Sequence, residues 1–250
     1  MQRRAPCPPA CARASTSRAR PTTPTRPCAA PSAIRRPMHE GQQPRDLQEK
    51  GTRSSSPQLR QQVRTNIVGF ANAGVFVALN NGNGTFGKPR QVLGNFGKNA
   101  GWSSSHPRML ADLTGDGRAD IIGFGDGGVW VSLNQGDGTF REPTKVLSFF
   151  GARSEAGGWT SARHIRTLAD LTGDGRPDIV GFGEHGVWVA LNNGDGTFQQ
   201  PVQVLSQFGA SSNAGGWLGG HPRMLADLNG DGRRDILGFA NAGVITASRS

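Results

Sequence analysis

The chain has 250 residues, long enough for one large or two small domains, and carries 37 Gly, 12 Phe, 5 Trp and no Tyr. No stretch approaches the ~18 apolar residues of a membrane-spanning helix, so membrane insertion is not expected. The net charge of +10 suggests a nucleic-acid partner until it is located: residues 1–60 hold 12 basic against 3 acidic residues, and the other 190 hold 16 against 15. The excess lies in the N-terminal segment, and no nucleic-acid-binding face is expected on the remainder.

Residues 1–60 are rich in Pro, Arg, Ala, Ser and Thr. The run PTTPTRPCAAPSAIRRP (21–37) cannot sustain a helix, because its prolines remove donors and clash with the preceding turn. A disordered basic tail is expected over 1–60. It lacks the ~7–15-residue apolar stretch of a secretory signal, and its prolines oppose the amphipathic helix of a transit peptide. Localisation is left open between a cytoplasmic store and non-classical secretion, and a misassigned start is a further reading of the tail. Cys7, Cys11 and Cys28 all lie there, so the folded part needs neither a disulfide nor a thiolate metal site.

From residue 61 onward the sequence repeats. NIVGFANAGVFVALNNGNGTF (66–86) returns as DIIGFGDGGVWVSLNQGDGTF (120–140) and DIVGFGEHGVWVALNNGDGTF (178–198), and DILGFANAGVITAS (235–248) begins a fourth copy. The acidic turns start at Asp112, Asp170 and Asp227, spacings of 58 and 57 residues. One unit holds four strand-sized segments, such as RMLADL, ADIIGFG, GVWVSLN and PTKVLSFFG, separated by turns of Asp, Asn and Gly. Val129, Val131 and Leu133 alternate with Trp130 and Ser132, the period of a strand. Four short antiparallel strands per repeat predict an all-β β-propeller of four-stranded blades, in units of about 61–105, 106–163, 164–220 and 221–250. That makes about three and a half blades. Closed propellers have about 4–8. The ring is therefore incomplete unless the chain forms a homo-oligomer, with a dimer completing it, or the chain is a truncated fragment.

The acidic turn has its own chemistry. In DLTGDGRAD, oxygen donors fall at alternate positions: Asp112, Thr114, Asp116, the carbonyl of Arg118, and Asp120. Gly115 and Gly117 permit the tight winding that converges them. A hard cation with 6–8 oxygen ligands suits such a set, and Ca²⁺ is the expected ion. The same set recurs as Asp170, Thr172, Asp174, Arg176 and Asp178, and as Asp227, Asn229, Asp231, Arg233 and Asp235. The plainer reading is that these aspartates only shape Asx turns. In the first unit, QLRQQVRTN (58–66) has no carboxylate, so no metal is expected there. NNGDGTF (192–198) and its relatives sit between strands and are expected to be positive-φ hairpin turns.

The Asp-x-[Thr/Asn]-Gly-Asp-Gly-x-x-Asp turn followed by Gly-Phe-Gly resembles the FG-GAP/VCBS repeat of integrin-type propellers. With GGW, HPR, ADLTGDGRADIIGFG and GVWVSLN in order, the unit is similar to the mushroom lectins of the Psathyrella velutina type. The resemblance covers about residues 66–250. It implies a non-enzymatic, Ca²⁺-stabilised propeller lectin that binds N-acetylglucosamine or sialic acid between adjacent blades. It departs from that pattern in its few blades and its missing first acidic turn.

The segment that bridges blades runs from GGW to HPR. There Trp102, Trp159 and Trp217 can offer aromatic faces to a pyranose, and His106, His164 and His221, with Arg108, Arg166 and Arg223, can donate to hydroxyls or a carboxylate. Asn99 and Asn213 add close backbone approach. The competing reading is that each Trp plugs the seam and each Arg caps carbonyls. Trp130 and Trp188 are expected to be core. An integrin-like protein-interaction scaffold without glycan binding is the alternative function. Catalysis is not expected, because the repeated acids are taken by the turns and His185 and Glu184 stand isolated in one repeat.

Overall fold

The computed structural model describes residues 65–247. The expected tail, its three cysteines and all of the carboxylate-free stretch at 58–66 except Thr65 and Asn66 lie outside the described residues.

Four antiparallel sheets follow one another along the chain. The first is β1 (Ile67–Ala71), β2 (Gly74–Ala78) and β3 (Arg90–Leu93). The second is β4 (Arg108–Ala111), β5 (Asp120–Gly125), β6 (Gly128–Ser132) and β7 (Thr144–Leu147). The third is β8 (Ile165–Ala169), β9 (Asp178–Phe182), β10 (Val187–Ala190) and β11 (Val202–Leu205). The fourth is β12 (Arg223–Ala226), β13 (Asp235–Ala240) and β14 (Gly243–Ala247). Strands pair in sequence order within each sheet, and the whole is an open, incomplete propeller-like arrangement, all-β as the repeat predicts. By strand number the described residues hold 14, three and a half blades' worth, but divided among four sheets.

Pairing is tight because the turns between strands are short. In the second sheet Ala111 faces Asp120 across β4 and β5, and Gly125 faces Gly128 across β5 and β6. The last pair of each of the first three sheets carries a register shift, at Val75/Phe76, Val129/Trp130 and Val187/Trp188. Such a shift bends the strand and re-aims the residue beside it.

The sequence runs DIIGFG and DIVGF are buried along their whole length, because a neighbouring sheet covers each face. Three apolar clusters fill the three seams. Val75, Val77, Leu93, Phe96 and Trp102 meet Ile121 and Phe140 in the first. Leu113, Ile122, Phe124, Val129 and Val131 meet Ile179 and Phe198 in the second. Val180, Phe182, Val187, Phe208 and Trp217 meet Ile236 in the third. Burial at roughly 25 cal/mol per Å² of apolar surface makes these seams the main source of cohesion between sheets.

Candidate functional site

Each seam is closed by the loop that leaves one sheet for the next. Phe96, Phe150 and Phe208 take left-handed backbone angles, φ 59°, 62° and 61°, which turn the chain sharply after the last strand. A short 3₁₀ turn follows each, Lys98–Ala100, Ser154–Ala156 and Ser212–Ala214, and then comes the tryptophan. Trp102, Trp159 and Trp217 are buried against these phenylalanines, at ring centroid distances of 4.8, 4.9 and 4.8 Å. Each indole lies over a glycine of the next sheet. A Cβ on Gly123 would stand 2.6 Å from the Trp102 ring, and one on Gly181 2.6 Å from Trp159. This close approach is why the repeat reads Gly-Phe-Gly.

The arginines reinforce the same seam. Arg108 donates to the carbonyls of Phe96 (2.8 Å) and Ser103 (3.1 Å). Arg166 donates to the carbonyls of Phe150 and Trp159 and to Ser161, and Arg223 to those of Phe208, Trp217 and Leu218. Their guanidinium groups sit over Phe70, Phe124 and Phe182 of the preceding sheet at 5.3, 5.9 and 5.6 Å. Burial pulls Arg166 down to about 10.

The histidines bridge two loops. His106 Nδ1 accepts the Ser103 N–H at 3.2 Å, which places the proton of the neutral ring on Nε2, and Nε2 meets Asp126 Oδ1 at 2.9 Å. His164 repeats this with the Thr160 N–H and with Glu184 at 3.2 Å, and Arg163 also holds Glu184, at 2.8 Å. Glu184 is thus not isolated: it occupies the repeat position of Asp126. His221 Nδ1 accepts the Leu218 N–H. Burial lowers the His164 pKa, and Glu184 opposes this without overcoming it. The unfolded chain therefore takes up a proton before the folded one does. The resulting stability is present above the ordinary histidine pKa and lost as pH falls through it. Melting temperature should decline from about pH 7 to 5, and decline less steeply in His164→Gln; equal slopes would contradict this account of the ring.

Between the first and second sheets these loops leave a cleft of about 480 Å³, lined by Asn95, Trp102, His106, Asp126 and Trp130, with Lys145 and Arg153. Asp126 is half exposed there, with Arg153 Nε 4.0 Å from its carboxylate. Trp130 packs against the core of the first seam, as expected, but is only partly buried and also opens onto the cleft. Arg108 is not in this cleft; it borders another depression with Phe70, Asn72 and Lys98.

The three seams differ. At the third, Gln207, Asn213, Trp217, His221, Asn241 and Ile245 line a cleft of about 540 Å³. At the second, Phe149 stands where the first has Asn95, and it packs on Trp188 at 5.0 Å and Trp159 at 5.9 Å. Asn95 instead accepts the Trp102 indole N–H at 3.1 Å. Sequence reasoning found Trp102 and His106 but missed Asn95, Asp126, Trp130, Lys145 and Arg153. The usable signal was variation at fixed repeat positions: Asn95, Phe149 and Gln207, and likewise Asn72, Asp126, Glu184 and Asn241.

The acidic turns lie elsewhere in each unit. Asp112 accepts the N–H groups of Thr114, Gly115, Asp116 and Gly117, while Asp120 accepts those of Leu113 and Asn134 and so ties two turns of the sheet together. Burial raises the pKa of Asp120 and of Asp178, and the neighbouring carboxylates raise them further. Asp227 lies below its ordinary value because Gly232 and Gly230 donate to it. For Asp170, burial works in the raising direction, but the donors Gly175, Gly173 and Thr172 outweigh it.

Among the described residues no three His, Cys, Asp or Glu groups already converge on a point. Asp116 is instead paired with Arg118, and Asp174 with Arg176 at 2.7 Å. The donor set nonetheless fits a hard cation: it is all oxygen, and Thr114 Oγ1 is buried without a hydrogen-bond partner. The relatives of NNGDGTF form hairpin turns, with Asp137 and Asp195 accepting from Thr139 and Thr197 and with positive φ at Gly136, Gly138, Gly194 and Gly196.

The FG-GAP-like repeat matches residues 112–163 and 170–238. The chain carries FG-GAP-like repeats. Among solved structures, it is similar to a lectin of Agrocybe aegerita, described by its specific recognition of non-reducing terminal N-acetylglucosamine. The two are 52% identical with a TM-score of 0.70, over 74% of this chain and 46% of the lectin, so the chain spans a little under half the lectin's length. It is also similar to the TcdB2–TccC3 complex at 18% identity, over 72% of this chain and 8% of that one, but a TM-score of 0.45 is too slight to build on. No curated protein matches it.

Proposed function

We propose that the chain is a lectin that binds terminal N-acetylglucosamine, and sialic acid through the same N-acetyl group, in the clefts between adjacent sheets. The observation that carries this is the 52% identity to a lectin recognising terminal N-acetylglucosamine. The first cleft has suitable chemistry. Trp130 offers an aromatic face to the apolar side of a pyranose or to the N-acetyl methyl. Asp126 accepts from hydroxyls, and Lys145 and Arg153 can meet a sialic-acid carboxylate. Trp102 and His106 form its wall, with His106 holding Asp126 in place. The buried arginines act as carbonyl caps for the seam. No residue pair in this reading performs catalysis. A glycan array with the folded chain tests it: signals for N-acetylglucosamine and sialic acid are expected, and none at all would favour the integrin-like interaction scaffold, to which the burial of Trp102, Trp159 and Trp217 lends weight.

The acidic turns are proposed Ca²⁺ sites that fix the turn between the first two strands of a sheet. Asp112, Thr114, Asp116, the Arg118 carbonyl and Asp120 would hold the ion once Asp116 leaves Arg118, and the two later copies would act alike. A cation would supply charge that offsets the crowding felt by Asp120 and Asp178. At a hundredfold excess over Kd, each site would add about 2.7 kcal/mol. Chelation should therefore lower the melting temperature, and Asp116→Ala with Asp174→Ala should reduce that sensitivity; unchanged melting in chelator would refute Ca²⁺ binding. The lectin is further proposed to act as a homo-oligomer, so that weak sites add in avidity.

A further inference from the structure

The two ends of the row of sheets expose opposite halves of one repeated interface. Phe124 and Val129, and Phe182 and Val187, are fully buried against the following sheet. Their counterparts on the fourth sheet, Phe239 and Val244, are 40% and 60% exposed. On the opposite face, Ile121 and Ile179 are fully buried and Phe140 and Phe198 nearly so, while Ile67 and Phe86 of the first sheet are 51% and 44% exposed.

We infer that a second copy of this chain docks head to tail, the Phe239/Val244 face of one copy seating on the Ile67/Phe86 face of the other. The match reuses a pairing already present within the chain: Phe and Val of one sheet meet Ile and Phe of the next at the first two seams, and meet Ile236 at the third. Residues 61–250 are almost neutral, with charges nearly balanced, so the two sheet faces themselves carry no charge excess that opposes docking. Two copies joined by two such seams would bring together eight sheets, within the range of about 4–8 blades of known propellers. They also come close to supplying the length of one Agrocybe lectin chain. Closure removes both apolar end faces at once, where a symmetric contact would remove only one. This deepens the assembly proposed above but does not depend on sugar binding.

Native mass spectrometry of the full chain tests it, with glycan binding followed separately so that the two can fail independently. A species of twice the chain mass of 26.4 kDa is expected. Val244→Asp and Ile67→Asp should each weaken association by about a hundredfold or more, as a charge in an apolar seam does, with circular dichroism unchanged. Mixing the two variants should restore association through one seam, the one that joins the intact Ile67 face of the first variant to the intact Val244 face of the second, and so give a dimer weaker than the unmodified one. A monomeric unmodified chain at tens of micromolar would overturn the inference without any variant, as would association lost in Val244→Asp but kept in Ile67→Asp.

Discussion

Replacing Trp159 by alanine is expected to destabilise the protein by about 3–5 kcal/mol, among the largest effects of any single substitution here. The indole is buried at the seam between the second and third sheets, touching Phe149 and Phe150 on one side and the backbone of Gly181 on the other. Truncation leaves a cavity that the rigid sheets cannot collapse into, and it loosens the loop whose carbonyl Arg166 caps. Gly181→Ala attacks the same contact from the opposite side. Its Cβ would meet the Trp159 and Phe150 rings at 2.6 Å, an overpacking worth about 1–3 kcal/mol. On a Trp159→Ala background the added methyl meets only the Phe150 ring, which can shift into the space the indole leaves, so the double variant should be less destabilised than the sum of the two. Urea unfolding of the four proteins checks this; strict additivity would mean that the indole and the glycine do not share a seam.

The second large effect concerns the clefts. Trp130→Ala should weaken N-acetylglucosamine binding at the first cleft by about 30-fold, the loss of an aromatic anchor of ~2 kcal/mol. Because Trp130 is only partly buried, folding should suffer less than in Trp159→Ala. The second seam supplies the converse experiment. Phe149 fills the space beside Trp188, so this seam should bind sugar weakly or not at all in the unmodified chain. Phe149→Asn gives it the residue of the first seam and should add a site, read as increased stoichiometry in calorimetric titration. Stoichiometry unchanged by Phe149→Asn, with the variant folded, would contradict the role given to this residue.

The fold was legible because the repeat enforces it. Turn residues at fixed offsets and a period of two in GVWVS leave little besides stacked antiparallel sheets. The expected number of blades follows in the strands, although they divide among four sheets with an incomplete one at each end. The roles within the seam were less legible. Trp, His and Arg all fall between GGW and HPR, but sequence adjacency does not reveal which way a side chain turns. Trp102 and Arg108 face the seam, while His106 reaches Asp126, a residue 20 positions away. Trp130 looked like core because it lies mid-strand. It reaches the cleft because it sits beside a register shift, which re-aims its side chain.

Binding of N-acetylglucosamine to the intact folded chain tests the central claim most directly. Saturation-transfer NMR should show contact at the N-acetyl methyl with the unmodified protein and a strongly reduced signal with Trp130→Ala at a similar melting temperature. A folded, unmodified chain that shows no contact with this sugar or with sialic acid would contradict the account.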